Sequence, residues 1–105
     1  MENKSKAETF IGFAIRAGKF RSGTNTLATL KKAYLIIVCE TAAENTKKLA
    51  EKYAEKYRCK AFCSTERTLS DISHKDGIKI AAITDYSLAT AVADNASPDF
   101  KELGN

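Results

Sequence analysis

The chain has 105 residues, of which 44% are hydrophobic and 29% charged, a balance typical of one globular domain and not of a disordered segment. The net charge is +4, and residues 1–32 carry seven lysines or arginines against two glutamates, whereas the rest is close to neutral. No apolar run is long enough to span a bilayer, and the first residues lack the pattern of a signal peptide. The sequence therefore predicts a cytoplasmic domain whose basic N-terminal third meets an acidic partner.

Helical periodicity and capping residues predict two helices in the first third of the chain. Residues 5–8 fit a capping box that starts the first helix, and Gly18 is expected to end it. A short extended segment at 20–22 leads into a second helix at about 24–32. The buried face of the first helix is expected to consist of Phe10, Phe13, Ala14 and Ala17.

Apolar runs and capping residues predict three more strands and three more helices. The strands are expected at 34–39, 60–63 and 78–83. The helices are expected at 41–57, 66–72 and 86–94, capped by Thr41, by Ser64 or Thr65, and by Asp85. Because strands alternate with helices, the sequence predicts an α/β sandwich with a largely parallel sheet covered on both faces. It forms a single domain, residues 1–105, with a core at about 6–95 and a polar, frayed tail at 96–105.

The stretch from Gly18 to Lys32 is the strongest candidate for a binding site. A helix that opens at Thr24 leaves its first amides without partners, and these amides attract phosphate together with the positive end of the helix dipole. Gly23 lets a bulky ligand approach the backbone, and the amide of Asn25 can both donate to and accept from a base. The alternative is an ordinary helix cap by a hydroxyl side chain. The flanking cations are expected to form one positive face: Arg16, Lys19, Arg21 and Lys32.

Four segments together resemble the bacterial YlxQ-type proteins, and the resemblance extends over about residues 6–95. The segments are Ala14–Lys19, Ser22–Asn25, Leu35–Val38 and Glu44–Lys48. YlxQ-type proteins belong to the ribosomal-protein L-seven-Ae and L-thirty-e superfamily, whose best-known activity is the binding of kink-turn RNA. The resemblance implies a three-layer α/β/α sandwich around a mixed, mostly parallel four-stranded sheet. It also implies a protein that binds structured, kink-turn-like or ribosomal RNA, in ribosome-linked RNA metabolism and in contact with ribosome-associated proteins.

The superfamily holds RNA at the start of the second helix and at the loop before the fourth. The second-helix motif reads Gly-x-Asn-Glu, with a Lys three residues after the Glu. Gly23 and Asn25 match this motif, whereas Thr26 and Thr29 replace the Glu and the Lys with side chains that make only neutral hydrogen bonds. The loop before the predicted helix at 66–72 carries no basic residue. The resemblance and the basic stretch together indicate these RNA-binding residues: Arg16, Lys19, Arg21, Gly23, Thr24, Asn25, Thr26, Thr29, Lys32, Ser64 and Thr65.

Metal binding and a bound cofactor are not expected. The three cysteines and the single histidine, His74, could in principle supply four zinc ligands, but their spacing is not that of a zinc knuckle. We expect the thiols of Cys39, Cys59 and Cys63 to be free and metal-free.

Two alternatives to RNA binding remain open. The first is a small-molecule-binding or enzymatic domain with a crevice where strands end, near Glu40, Thr41 and Thr84, to which Asp71 and Asp85 could add carboxylates. The second is a protein-interaction domain of the same fold that has lost its RNA contacts. No pattern typical of a catalytic centre occurs, so the sequence favours a binding module over an enzyme.

Overall fold

The structure, a computed structural model, describes residues 6–65, 72, 77–96 and 100–103. The described helices are α1 (Lys6–Arg16), α2 (Thr24–Ala28), α3 (Glu44–Tyr57) and α4 (Tyr86–Asp94). The described strands are β1 (Phe20–Ser22), β2 (Leu35–Val38), β3 (Lys60–Ser64), β4 (Ile80–Ile83) and β5 (Phe100–Glu102). The helix predicted at 66–72 lies outside the described residues except for Ile72, as do Ser5, Asp71 and His74.

All five strands belong to one sheet, in the order β1-β4-β2-β3-β5. Strands β2 and β3 run parallel, whereas β4 is antiparallel to β1 and β2, and β5 is antiparallel to β3. The predicted α/β fold is confirmed, but the prediction of four mostly parallel strands is wrong. Continuous burial, typical of parallel sheets, also arises in an antiparallel strand whose two faces are both covered. Strand β5 forms part of the segment that was predicted to be a frayed tail. The sequence did not indicate this strand, because only one of its residues, Phe100, is buried and no alternation of apolar and polar residues results.

Every residue of β2 and β4 is buried, which shows that both faces of the sheet are covered. Helix α1 packs against α4, and α2 is joined to α3 by the hydroxyl of Tyr57, which contacts the carbonyls of Leu27 and Leu30. The predicted inner face of α1 needs correction. Residues 7, 11 and 14 fit the helical period as well as residues 10, 14 and 17 do. The structure buries the first set and leaves Phe13 exposed.

Two of the predicted helix-end residues are confirmed, and a third prediction is wrong. Gly18, with a φ of 74°, lies just beyond the end of α1, and the carboxylate of Asp85 caps α4 by accepting from the amide of Leu88 at 2.8 Å. Thr41 does not cap α3, because the residue at the cap position is Ala43 and no side chain bonds there. The second helix is also shorter than predicted, with its end at Ala28.

Strand directions give the sheet two ends at which loops gather. Strands β1, β2 and β3 all end where β4 and β5 begin. We call this end the carboxyl edge, and the opposite end, where β1, β2 and β3 begin, the amino edge. Helices α2 and α3 follow β1 and β2 directly, so both begin at the carboxyl edge. None of the described helices has the length and apolar character needed to cross a membrane.

Candidate nucleic-acid interface

The start of α2 is held by the backbone and is not capped by a side chain. Gly23 occupies the cap position with a φ of 97°, a conformation that glycine adopts without strain. Its amide donates to the carbonyl of Ile80 at 3.0 Å, and its carbonyl accepts from the amide of Leu27 at 3.0 Å. The expected alternative of an ordinary hydroxyl cap is therefore wrong. Among the described residues, no side chain therefore caps the amides at the start of α2.

A groove of about 250 Å³ lies beside this helix start, at the carboxyl edge. Its lining comes from the end of β1, the first turn of α3 and the approach to β4: Ser22, Gly23, Thr24, Thr46, Gly77, Ile78, Lys79 and Ile80. The exposed ammonium of Lys79 donates to the hydroxyl of Thr41 at 2.7 Å. Sequence reasoning missed Lys79 and Thr46. The signal for Thr46 was present, because it lies in the Glu44–Lys48 segment of the resemblance and at the start of a helix that follows a strand.

The carboxyl edge combines two helix starts with charges of both signs. Neither α2 nor α3 has a side-chain cap, so the positive ends of both helices meet the solvent here. Burial raises the pKa of the Cys63 thiol, and the positive charge of Lys47 partly lowers it. Lys47 is therefore a second cation close to the end of β3. Glu40 is exposed at the same edge, and Glu44 lies in the first turn of α3.

The side chains of α2 differ in how far they are available to a ligand. Asn25 is exposed. The hydroxyl of Thr29 points back to its own helix, 3.2 Å from the carbonyl of Thr26 and 3.4 Å from that of Asn25. Thr26 is half-buried. Asn25 is therefore the α2 side chain best placed to meet a base.

Ser64 and Thr65 also lie at the carboxyl edge, where the sequence placed them together with the start of α2. Ser64 is only 2% exposed, and its hydroxyl accepts from the amide of Glu40 at 3.0 Å. This bond ties the end of β2 to the end of β3, so the Ser64 hydroxyl serves the fold. Thr65 is half-buried.

The predicted cations lie at the amino edge or in the middle of β1, away from the start of α2. Lys19 lies at the amino edge, where its carbonyl accepts from the amide of Thr84 at 2.9 Å. Lys32 precedes β2 at the same edge, and Arg16 ends α1. Arg21 is exposed in the middle of β1. The separation arises because the chain runs the length of β1 between the predicted cations and the start of α2.

The alternative of one crevice at the strand ends is not supported by the topology. Glu40 and Thr41 follow β2 at the carboxyl edge, whereas Thr84 and Asp85 follow β4, which runs in the opposite direction and ends at the amino edge. The structure therefore separates the groups that a shared crevice would need. Asp71 lies outside the described residues.

None of the three cysteines forms a disulfide. Burial raises the pKa of Cys59 to about 11, so this thiol is almost fully protonated at neutral pH. Within the described ranges, no three His, Cys, Asp or Glu side chains gather closely enough to hold a metal ion.

Comparison with known proteins supports the resemblance and the fold. Over 63 residues, the chain is 38% identical to the RNA-binding protein YlxQ of Enterococcus faecium, a match that spans 57% of this chain and 61% of that protein. The predicted resemblance to YlxQ-type proteins is confirmed, and the superfamily assignment is consistent with it. A solved structure of a protein of unknown function from Bacillus halodurans C has the same fold, with a TM-score of 0.75 and 19% identity over 87% of this chain and 96% of that one. No protein-family model matches the chain.

Replacing Ser64 with alanine should destabilise the fold without affecting ligand binding. In Ser64→Ala the amide of Glu40 loses its acceptor, so the free energy of unfolding should fall by about 1–3 kcal/mol in a urea titration. The exposed Ser87 supplies the control, since Ser87→Ala should change stability by less than about 0.5 kcal/mol. If Ser64→Ala left stability unchanged and weakened RNA binding, Ser64 would be a ligand-binding residue after all.

Proposed function

We propose that this chain binds structured RNA at the carboxyl edge of its sheet. The observation that carries the proposal is that α2 and α3 both begin there without a side-chain cap, on either side of a groove that contains Lys79. Open amides and positive helix ends bind phosphate oxygens, and Lys79 and Lys47 add mobile positive charge.

Asn25 gives the proposed site a means to read a base as well as the backbone. Its side-chain amide is exposed beside the open helix start and can donate and accept at once. Proteins that read RNA sequence target unpaired bases in loops and bulges, because the grooves of a regular RNA duplex conceal base edges. An RNA with an internal loop or kink therefore suits this site better than a plain duplex. The similarity to a protein named as RNA-binding supports RNA binding in general.

A kink-turn is the RNA class that the proposed site is closest to recognising. Gly23 and Asn25 keep the motif of the kink-turn binders, but Thr26 lacks the carboxylate that would accept from guanine, and the hydroxyl of Thr29 is turned toward its own helix. We therefore propose a kink-turn-like or related RNA, bound less tightly than by proteins with the complete motif. The setting would be ribosome-linked RNA metabolism in the cytoplasm, with the chain acting as a binding module and not as an enzyme.

Removing the side-chain amide of Asn25 should weaken RNA binding while the protein stays folded. We expect Asn25→Ala to cost about 1–3 kcal/mol of affinity for a kink-turn RNA, measured by fluorescence anisotropy. The melting temperature should change little, because Asn25 is exposed and does not cap α2. Thr90 is exposed in the middle of α4, so Thr90→Ala is the control and should leave RNA affinity unchanged. Equal losses in the two variants would remove Asn25 from the interface.

Neutralising Lys79 tests whether phosphate lies at the carboxyl edge. Lys79→Gln should weaken binding to every RNA by a similar factor and reduce the slope of log affinity against log salt by about one. Lys60 begins β3 at the amino edge and is also exposed, so Lys60→Gln is the control with the same change of charge. If only Lys60→Gln reduced the slope, the phosphate contact would lie at the amino edge and the proposed site would be wrong.

Restoring the missing carboxylate tests whether the site keeps kink-turn geometry. Thr26→Glu should strengthen binding to a kink-turn RNA despite the added negative charge, because the new carboxylate can accept from guanine. Binding to a plain duplex of the same length should weaken, since only the repulsion of phosphate acts there. Weaker binding to both RNAs would mean that the site recognises a different RNA shape.

A further inference from the structure

A pair of tyrosines, the exposed Tyr86 and the half-buried Tyr34, lies at the amino edge, away from the proposed groove. The rings of Tyr34 and Tyr86 meet edge to face, with their centroids 5.6 Å apart and their planes at 82°. Tyr86 is the first residue of α4 and is 67% exposed. A ring with this exposure contributes little to the core and is accessible to a ligand.

Two lysines flank this aromatic pair. The ammonium of Lys32 lies 5.8 Å from the centre of the Tyr34 ring. On one side of β4, the carbonyl of Ile83 accepts from the amide of Tyr34. On the other side, the amide of Thr84, the residue after Ile83, donates to the carbonyl of Lys19. The backbone of Lys19, the residue before β1, therefore lies beside Thr84, two residues before Tyr86. The nearest carboxylate in sequence, Asp85, already accepts from the first turn of α4.

We propose that Tyr86, supported by Tyr34 and flanked by Lys19 and Lys32, stacks an unpaired nucleotide of the bound RNA. An aromatic face beside cations matches the two chemical features that every nucleotide presents, a flat base and a phosphate. The proposal rests on the proposed function and adds a second contact. The two contacts are separated by the length of β1, which is about 13 Å for the four residue steps from Lys19 to Gly23. A single-stranded segment that leaves the groove along β1 would reach it.

The test compares three proteins, the natural chain, Tyr86→Ala and Tyr86→Phe, in titrations with a ten-nucleotide oligouridine and with a plain RNA duplex. Tyr86→Ala should bind the oligouridine roughly 5- to 150-fold more weakly, since it loses one stacking platform. Tyr86→Phe keeps the ring and should bind nearly as tightly as the natural chain. Duplex binding should stay the same in both variants, because paired bases are already stacked and inaccessible.

Intrinsic fluorescence gives a direct signal for the stacking contact. The chain has four tyrosines and no tryptophan, so a base stacked on Tyr86 should quench a measurable part of the emission. Oligouridine should quench the natural chain, and this part of the quenching should be absent in Tyr86→Ala. The exposure of Tyr86 predicts that both variants melt at nearly the same temperature as the natural chain, which controls for folding.

The outcomes separate the two proposals. If Tyr86→Ala bound the oligouridine as tightly as the natural chain, the stacking proposal would be wrong. If that variant also changed the oligomeric state seen by sedimentation, the tyrosine pair would be a contact between proteins. A natural chain that bound kink-turn RNA through Asn25 but ignored the oligouridine would refute the stacking contact alone. A natural chain that bound no RNA of any kind would overturn both.

Discussion

Strand β4 determines where the candidate site lies, because it pairs antiparallel with β1 on one side and with β2 on the other. At its start the pairing extends beyond the strands themselves. The amide of Gly23 donates to the carbonyl of Ile80, and the amide of Cys39 donates to the carbonyl of Lys79. These two bonds hold the loops that lead into α2 and α3 on either side of Lys79. Without them, the helix starts and the lysine would be separate features of the surface.

The same pairing also explains why the molecule presents two different ends. Loops that follow β1, β2 and β3 gather at the carboxyl edge, and they bring uncapped helix starts, Asn25 and lysines together. The loop that follows β4 lies at the opposite edge and places Tyr86 beside Tyr34, whose ring also faces the ammonium of Lys32. An RNA with a folded part and a single-stranded part offers complementary chemistry to both ends. The proposed contacts thus draw on different lysines, Lys79 and Lys47 at the carboxyl edge and Lys32 and Lys19 at the amino edge.

The sequence predicted features that depend on nearby residues and failed on those that depend on strand order. The positions of most helices and strands, the end of α1 at Gly18 and the Asp85 cap follow from local patterns, and the structure confirms them. The direction of β4 is set by how the chain returns to the sheet, which no property of its four residues encodes. That direction brings Lys79 to the start of α2, so the prediction missed Lys79, whereas Lys19 lies away from Asn25 because β1 runs between them. The bond that the Ser64 hydroxyl accepts from the amide of Glu40 could not be predicted either, because a hydroxyl buried against a backbone amide has the same sequence signal as an exposed one.

A map of amide chemical shifts during RNA titration tests the central claim most directly. The experiment follows the ¹⁵N-labelled chain as an RNA hairpin with an internal loop is added. The account predicts the largest shifts at the amides of Thr24, Asn25 and Thr26, together with Thr46 and Lys79, which would outline the groove at the carboxyl edge. Shifts concentrated instead on the outer face of α3, around Lys48 and Lys52, with the start of α2 unchanged, would contradict the account.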